Sequence, residues 1–460
     1  MLESSSQAVD QTPVPVADSN GISALPPLNE RKEAKDLDAA APVEASRGSH
    51  PLIDRIVVLN DLSVARGGGT ALALLSVKLF RDLGLPVTYI CGDEGDNEEL
   101  VSLGVDIVPL DGQHILKRGP VSATLKGIHN NAAKVALEGW IAANDTPRTI
   151  YHVHGWSKIM SPAIFAGLRR VSTRTILHAH DFFLACPNGA FYDYQQHAPC
   201  TRTPLSVFCM TCNCDKRSYS QKVWRTGRST RVRSILLHRR SAAPRVLLLH
   251  EKMAPAFERS GYPPEGLHTL RNPVIPYRAE RVHAENNSLF FFIGRLEPEK
   301  GIEDAVQAAV DAGVPLIVIG DGSLREELSR HGGNVQILGW QSHSQIAEQI
   351  SSARALLMPT RYPEPFGLVA AEASQSGVPV LLSDKAYLAE EMVAAGMALS
   401  CDTSDREAFA HAMRKFADMP ASRLRAMSER AFKRETPIAT SPEVWRDSLL
   451  AHYSHLVAEA

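Results

Sequence analysis

The stretch RALLMPTRYPEPFGLVAAEASQSGVPVLLSD, residues 354–384, constrains the fold of this chain more than any other. Its apolar run from Ala355 to Met358 predicts a buried parallel strand. A Pro-rich turn holding Glu364 follows, then a helix whose first turn carries Phe366, Gly367 and Leu368, and a second strand from Val378. A strand that feeds a helix N-terminus is an anion site, because the first backbone N–H groups are unpaired and the helix dipole favours negative charge. Gly367 removes a side chain where a phosphate would approach the backbone. Glu364 at the rim can accept hydrogen bonds from hydroxyls, and Glu372 lies about two helical turns further along. The arrangement suits a nucleoside diphosphate carrying a sugar.

A second block, LFFFIGRLEPEKGIEDAVQAA (289–309), places a short apolar strand, Leu289 to Ile293, before a polar loop and a helix starting near Ile302. Arg295 and Lys300 flank that loop. Two such cations can converge on a diphosphate, Arg as a planar fork and Lys as a point charge; alone, they would also suit a solvated loop. Upstream, RIVVLNDLSVARGGGTALALLSVKLFRDLGLPVTYI opens a βαβ unit: a strand from Arg55 to Asn60, a glycine loop at 67–69, a helix from Thr70 to Leu83 and a strand from Val87 to Ile90. The triple glycine is compatible with a simple flexible turn, and it lacks the spacing of a dinucleotide fingerprint. YHVHGWSK (151–158) and TILHAHDFFLACPNG (175–189) read as strands ending in polar residues at the carboxyl edge of a parallel sheet, where open α/β folds keep their sites.

Together the first two blocks closely resemble the E-x7-E and GR…EKG motifs of family 4 glycosyltransferases. These are retaining enzymes of the GT-B fold, and bacterial polysaccharide-assembly members are the nearest in kind. The resemblance implies an α/β architecture of two Rossmann-like, doubly wound domains facing a cleft, with a C-terminal helix returning to the first domain. It implies that Glu364 contacts the donor sugar, Glu372 the ribose, and Arg295 and Lys300 the phosphates, with Phe366, Gly367 and Leu368 at the donor helix. Gly68 would belong to a loop that closes over donor phosphate and acceptor. His180 and Asp181 stand where the family has a His-Asp pair facing both sugars, with His154 a weaker candidate. The implied activity moves a hexose-type sugar from a UDP or GDP donor to a hydroxyl of a saccharide or polyprenyl-linked acceptor. A nucleotide-sugar 2-epimerase and an inactive GT-B binding protein are the alternatives.

At 460 residues the chain has room for two domains of about 200 residues and a tail. Residues 1–50, rich in Ala, Pro, Ser and charge, are expected to be a disordered tail. An acceptor-side domain is expected at 53–275, a polar linker around 272–288, a nucleotide-sugar domain at 286–435 and a terminal helix at 441–460. No apolar run reaches the length of a membrane span, and residues 1–50 lack the apolar stretch of a signal peptide. The expectation is a cytoplasmic protein, peripheral at most on the inner face of the membrane. A net charge of −2 gives no global reason to expect nucleic acid.

Two features of an insertion at 186–240 fall outside that scheme. Five of seven cysteines (Cys186, Cys200, Cys209, Cys212, Cys214) cluster there. They suit either a structural zinc site, with Cys200, Cys209, Cys212 and Cys214 or Cys186 as ligands, or a set of reduced thiols. Sugar transfer on this fold needs no metal, and the D-x-D of the chain, Asp36 and Asp38, lies in the tail. From Lys216 to Arg240 the sequence carries nine Lys or Arg and no acid, interleaved with Val223, Trp224, Val232, Ile235 and Leu236. This suits a helix lying on an anionic bilayer, or a solvated helix whose apolar residues face its own domain. Nucleic acid is disfavoured, because zinc-finger spacing is missing.

Overall fold

The computed structural model describes residues 53–459 apart from 66, 111, 113, 115–119, 239–243 and 331–332. The expected tail at 1–50 lies outside the described residues. The first domain is built on β1 (Arg55–Asn60), β2 (Val87–Cys91), β3 (Asp106–Pro109), β4 (Thr149–Val153) and β5 (Thr175–Ala179), then a small hairpin of β6 (Tyr192–Asp193) and β7 (Ala198–Pro199), then β8 (Arg245–Leu248) and β9 (Leu267–Thr269). Its parallel sheet runs in the order β3-β2-β1-β4-β5-β8-β9. The second domain holds β10 (Leu289–Ile293), β11 (Leu316–Ile319), β12 (Val335–Gly339), β13 (Ala353–Met358), β14 (Val380–Ser383) and β15 (Ala398–Cys401), parallel in the order β12-β11-β10-β13-β14-β15.

Each sheet is flanked by helices on both faces, which is why its central strands are buried along most of their length. Every residue of β2, β4 and β5 is buried. In each sheet the strand order reverses beside the first strand, between β1 and β4 and between β10 and β13. Crossovers leave in opposite directions at such a switch point, opening a crevice outside the carboxyl ends of the two strands. The glycines, His154 and His180 follow β1, β4 and β5; Arg295 and Glu364 follow β10 and β13.

Several boundaries differ from the sequence reading. The first helix begins at Gly68 and runs to Asp82, so Gly68 and Gly69 form its first turn and Gly67 its cap. The donor helix is Leu368–Gln375, with Gly367 as its cap and Phe366 in the preceding loop. Gly367 has φ +77°, and an added Cβ would lie 2.7 Å from Met358 Sδ, so both conformation and space require glycine there. The strand expected from Val378 starts at Val380, since the positions before it form the turn after the helix.

The last helix, Pro442–Glu459, follows the second domain but packs with the first. Trp445, Leu449, Tyr453 and Leu456 are buried in a core shared with Ile56 and Val58 of β1 and with Phe80. A bridge between Pro273 and Thr440 joins the two chain segments that cross between domains.

The basic segment forms the helix Tyr219–Leu236, and its cations point largely inward. Lys222 is wholly buried. Arg228 lies between the Trp156 and Trp224 rings and donates to the Ser157 carbonyl at 2.6 Å. Arg225 pairs with Asp215 at 3.1 Å, and Arg233 donates to the Pro204 carbonyl at 3.0 Å. Trp224 donates its indole N–H to the Thr124 carbonyl. The helix therefore does not lay a face of free arginines on a bilayer. A guanidinium can be buried when aromatic faces and carbonyls replace its water, which a count of charges along the sequence does not reveal. Burial lowers the Arg228 pKa to about 10, against the attraction of Asp61 and Asp181, so it stays charged at neutral pH. Arg228→Ala should destabilise the fold by roughly 2–3 kcal/mol in denaturant unfolding, through lost packing and cation–π contact.

Candidate active site

The two switch points face each other across one cleft with a cavity of about 860 Å³, within the usual range for a small-molecule site. Gly68, His180 and Asp181 line it from the first domain. Arg295, Lys300, Glu364, Phe366, Gly367, Leu368 and Glu372 line it from the second. The structure thus brings all ten residues singled out for donor binding and catalysis to a single surface. His154 sits one layer back: it is buried, and its Nδ1 is 2.9 Å from His180 Nε2.

Glu364 is the hub on the second-domain side. Its Oε2 accepts from Lys300 Nζ at 2.6 Å and Thr360 Oγ1 at 3.3 Å, and Lys300 also reaches the Tyr362 hydroxyl at 3.0 Å. Desolvation pulls the Glu364 carboxyl up, but the Lys300 charge and hydrogen bonds from Lys300, Tyr362 and Thr360 outweigh it and hold the pKa below the ordinary range. The Lys300 and Thr360 bonds both fall on Oε2, which leaves Oε1 the oxygen better placed to take a hydroxyl in the cleft. Glu372 accepts from the Tyr277 hydroxyl at 2.8 Å, while burial pushes its pKa up. Arg295 stands in the open mouth, 63% exposed and 3.8 Å from Glu299. Lys300 is thus neutralised in place, whereas Arg295 keeps most of its charge for whatever enters.

The first-domain wall is a stack of imidazoles. Alternate residues of a strand share a face. His152 and His154 on β4 and just beyond it therefore meet His178 and His180 on β5 and just beyond it. His178 and His180 stack with centroids 4.4 Å apart, and His152 lies between Tyr453 Oη, 2.6 Å away, and His178 Nδ1, 3.2 Å away. Desolvation pushes His152, His154 and His178 well below the usual imidazole pKa and His180 to about 4, so all four are neutral at physiological pH. Asp181 is open to cleft water, yet the surrounding protein still raises its carboxyl to about 6, against the hydrogen bond from Phe183 N–H and the charges of Lys158 and Arg228.

The glycine turn fits against both walls. A side chain at Gly68 would come within 3.0 Å of Leu368 Cδ1, and one at Gly69 within 3.2 Å of the His180 ring. Lys216 closes the cleft from the other side, reaching from the first domain to Glu297 and, at 2.9 Å, to Glu299 of the second. Lys216 and Tyr277 were not foreseen, because their partners lie 83 and 95 residues away and no local pattern marks them. Tyr362, by contrast, lies in the 354–384 segment, two positions before the first Glu of the E-x7-E motif.

The cysteines gather behind the cleft wall without forming a metal set as placed. Among the described residues no cysteine belongs to a group of three ligand atoms within 4.8 Å of one another. The buried Lys222 Nζ stands 3.2 Å from Cys214 Sγ and 3.4 Å from Cys209 Sγ, while Cys212 donates to Asp193. The amine stands beside two of the four proposed ligands, and as placed Cys200, Cys209, Cys212 and Cys214 are not gathered around one tetrahedral centre. Elemental analysis of protein purified without chelator should give well below about one zinc per chain; a stoichiometric content would show that the thiols regroup and displace Lys222.

Residues 275–434 match the family model of glycosyl transferases group 1. A glycogen synthase of Mycobacterium tuberculosis is 31% identical over 179 residues, 36% of this chain and 42% of the relative. The chain thus spans about two fifths of the curated relative it matches. Among solved structures, a sucrose-phosphate synthase from Thermosynechococcus elongatus superposes with TM-score 0.65 at 18% identity, over 88% of this chain and all of that one. The Anabaena protein HepE in complex with UDP and glucose superposes with TM-score 0.59 at 16% identity, over 87% of this chain and 99% of that one. These likenesses establish the GT-B fold.

Proposed function

We propose that this chain, a GT-B protein whose second domain is of the group 1 glycosyl transferase type, moves a hexose-type sugar from a nucleoside diphosphate donor to a hydroxyl of a saccharide or lipid-linked acceptor, with retention at the anomeric carbon. The observation that carries this reading is the convergence of Arg295, the Lys300–Glu364 pair and the Gly367-capped helix on one cleft faced by His180 and Asp181. The diphosphate would lie between Arg295, Lys300 and the first amides of the donor helix, where its leaving charge is stabilised. Glu364 would take a sugar hydroxyl, and Glu372, oriented by Tyr277, the ribose. His180, neutral and held by His154, can exchange a hydrogen bond with a sugar hydroxyl without adding charge. HepE, of the same fold, is described with UDP and glucose, which supports a nucleotide sugar as the ligand class. A thermal-shift screen against UDP-, GDP- and ADP-sugars tests the reading directly. A rise in melting temperature with one donor class, abolished in Arg295→Ala, supports it, and no shift with any donor overturns it.

A further inference from the structure

The corner where the short helix Val207–Thr211 meets the start of the basic helix is built of apolar side chains turned outward. Phe208 is 80% exposed and Val207 68%, with Met210, Tyr219 and Val223 beside them. The Tyr219 hydroxyl donates to the Met210 carbonyl at 3.1 Å, which ties the two helices together. Tyr219 and Val223, four residues apart, share the outward stripe. The Trp224–Thr124 hydrogen bond then brings that stripe beside Leu125, itself 65% exposed, on the helix Pro120–Ile128. Single exposed apolar residues are ordinary, but six on three joined helices make a patch.

Charge says what covers it. Between Asp193 and Glu251 the sequence holds one acid, Asp215, and it is buried against Arg225. Lys126, Arg217 and Arg231 are exposed on the same three-helix corner or beside it. A projecting apolar tip flanked by cations matches a surface that is negative outside and apolar beneath.

We propose that this corner docks on an anionic bilayer, with Val207, Phe208 and Met210 entering the boundary between headgroups and acyl chains and Tyr219 at the interface. The tip and the cleft are neighbours, since Arg217 lines the cleft and Tyr219, two residues on, belongs to the patch. An acceptor carried on a lipid phosphate would then enter the cleft without leaving the membrane. That last step rests on the sugar-transfer reading, whereas the docking itself does not.

The test is cosedimentation of the full chain, without donor or acceptor, with phosphatidylcholine vesicles containing phosphatidylglycerol. The wild type should bind and should weaken as salt rises. The triple variant Val207→Ser, Phe208→Ser, Met210→Ser should bind about tenfold less or weaker still, at an unchanged melting temperature, because the replaced side chains are exposed. Transfer to a short soluble acceptor, measured on the same preparations, reports separately on the catalytic reading. Absence of wild-type binding, equal binding by the variant, or a wild-type dimer in light scattering that the variant abolishes would each overturn the proposal.

Discussion

Glu364→Ala is expected to abolish sugar transfer while leaving the fold intact. Arg295→Ala and Lys300→Ala should each lower kcat/KM by about 10²–10³-fold, the cost of removing one preorganised charge from a developing anion (about 2–4 kcal/mol). The structure adds a difference between the two cations. Arg295 is mostly exposed and bound weakly to Glu299, so its loss should change little besides donor handling. Lys300 holds Glu364 ionised. Without it, desolvation acts on the carboxyl unopposed by that charge, so the residual activity of Lys300→Ala should fall off at higher pH on its acid limb than that of the wild type. Assays of the three variants across pH decide the matter, and near wild-type rates in all of them would remove the donor site from this cleft.

Acid should unfold the protein steeply. His152, His154, His178 and His180 are neutral in the fold with depressed pKa values, whereas the unfolded chain takes up protons near pH 6.5. The unfolded state therefore binds more protons below that pH. Stability is fully present above about pH 6.5 and falls as pH drops towards the folded values, by about 1.4 kcal/mol per pH unit for each imidazole. Four imidazoles acting together would remove about 5 kcal/mol per unit once the pH is below about 6, a large share of a typical 5–15 kcal/mol, until His180 takes up its own proton near pH 4. Asp181 works the other way, because its carboxyl, raised to about 6, gains a proton in the fold first; it is one group and open to water, so it offsets little. Urea unfolding at pH 7.5, 6.5 and 5.5 measures the slope. A value corresponding to fewer than about two protons would show that the stack is not kept neutral, and His178→Gln should remove about one proton from it.

What could be read from the sequence was what lies close together along the chain. β10 with its Arg-Lys loop, and β13 with Glu364, Gly367 and Glu372, are continuous strand–loop–helix units, so their spacing already encodes their geometry. The imidazole stack was half legible. H-x-H occurs in both YHVHG and ILHAHD, and period-2 alternation puts each pair on one strand face, but that β4 and β5 are neighbours is a tertiary fact. The sequence therefore singles out His180 without joining its three companions to it. The basic helix is hard to read for a different reason. Its arginines look alike in sequence, and only packing shows that Arg228 lies between two tryptophans while Arg231 faces water. Lys222 is the extreme case, a lysine enclosed among thiols that composition reads as a metal site or a solvated charge.

The way Trp445, Leu449 and Tyr453 complete the first domain has a consequence for how the chain is made. A ribosome delivers the first domain long before those residues emerge. Until the second domain has been synthesised behind it, the face of β1 and the Gly68–Asp82 helix that they cover stays bare, and Tyr453 is missing from beside His152. The nascent first domain therefore cannot finish folding in the order of synthesis, and it carries exposed apolar surface through that interval. Emergence of the Pro442–Glu459 helix, rather than of the first domain itself, is the event that seals its core.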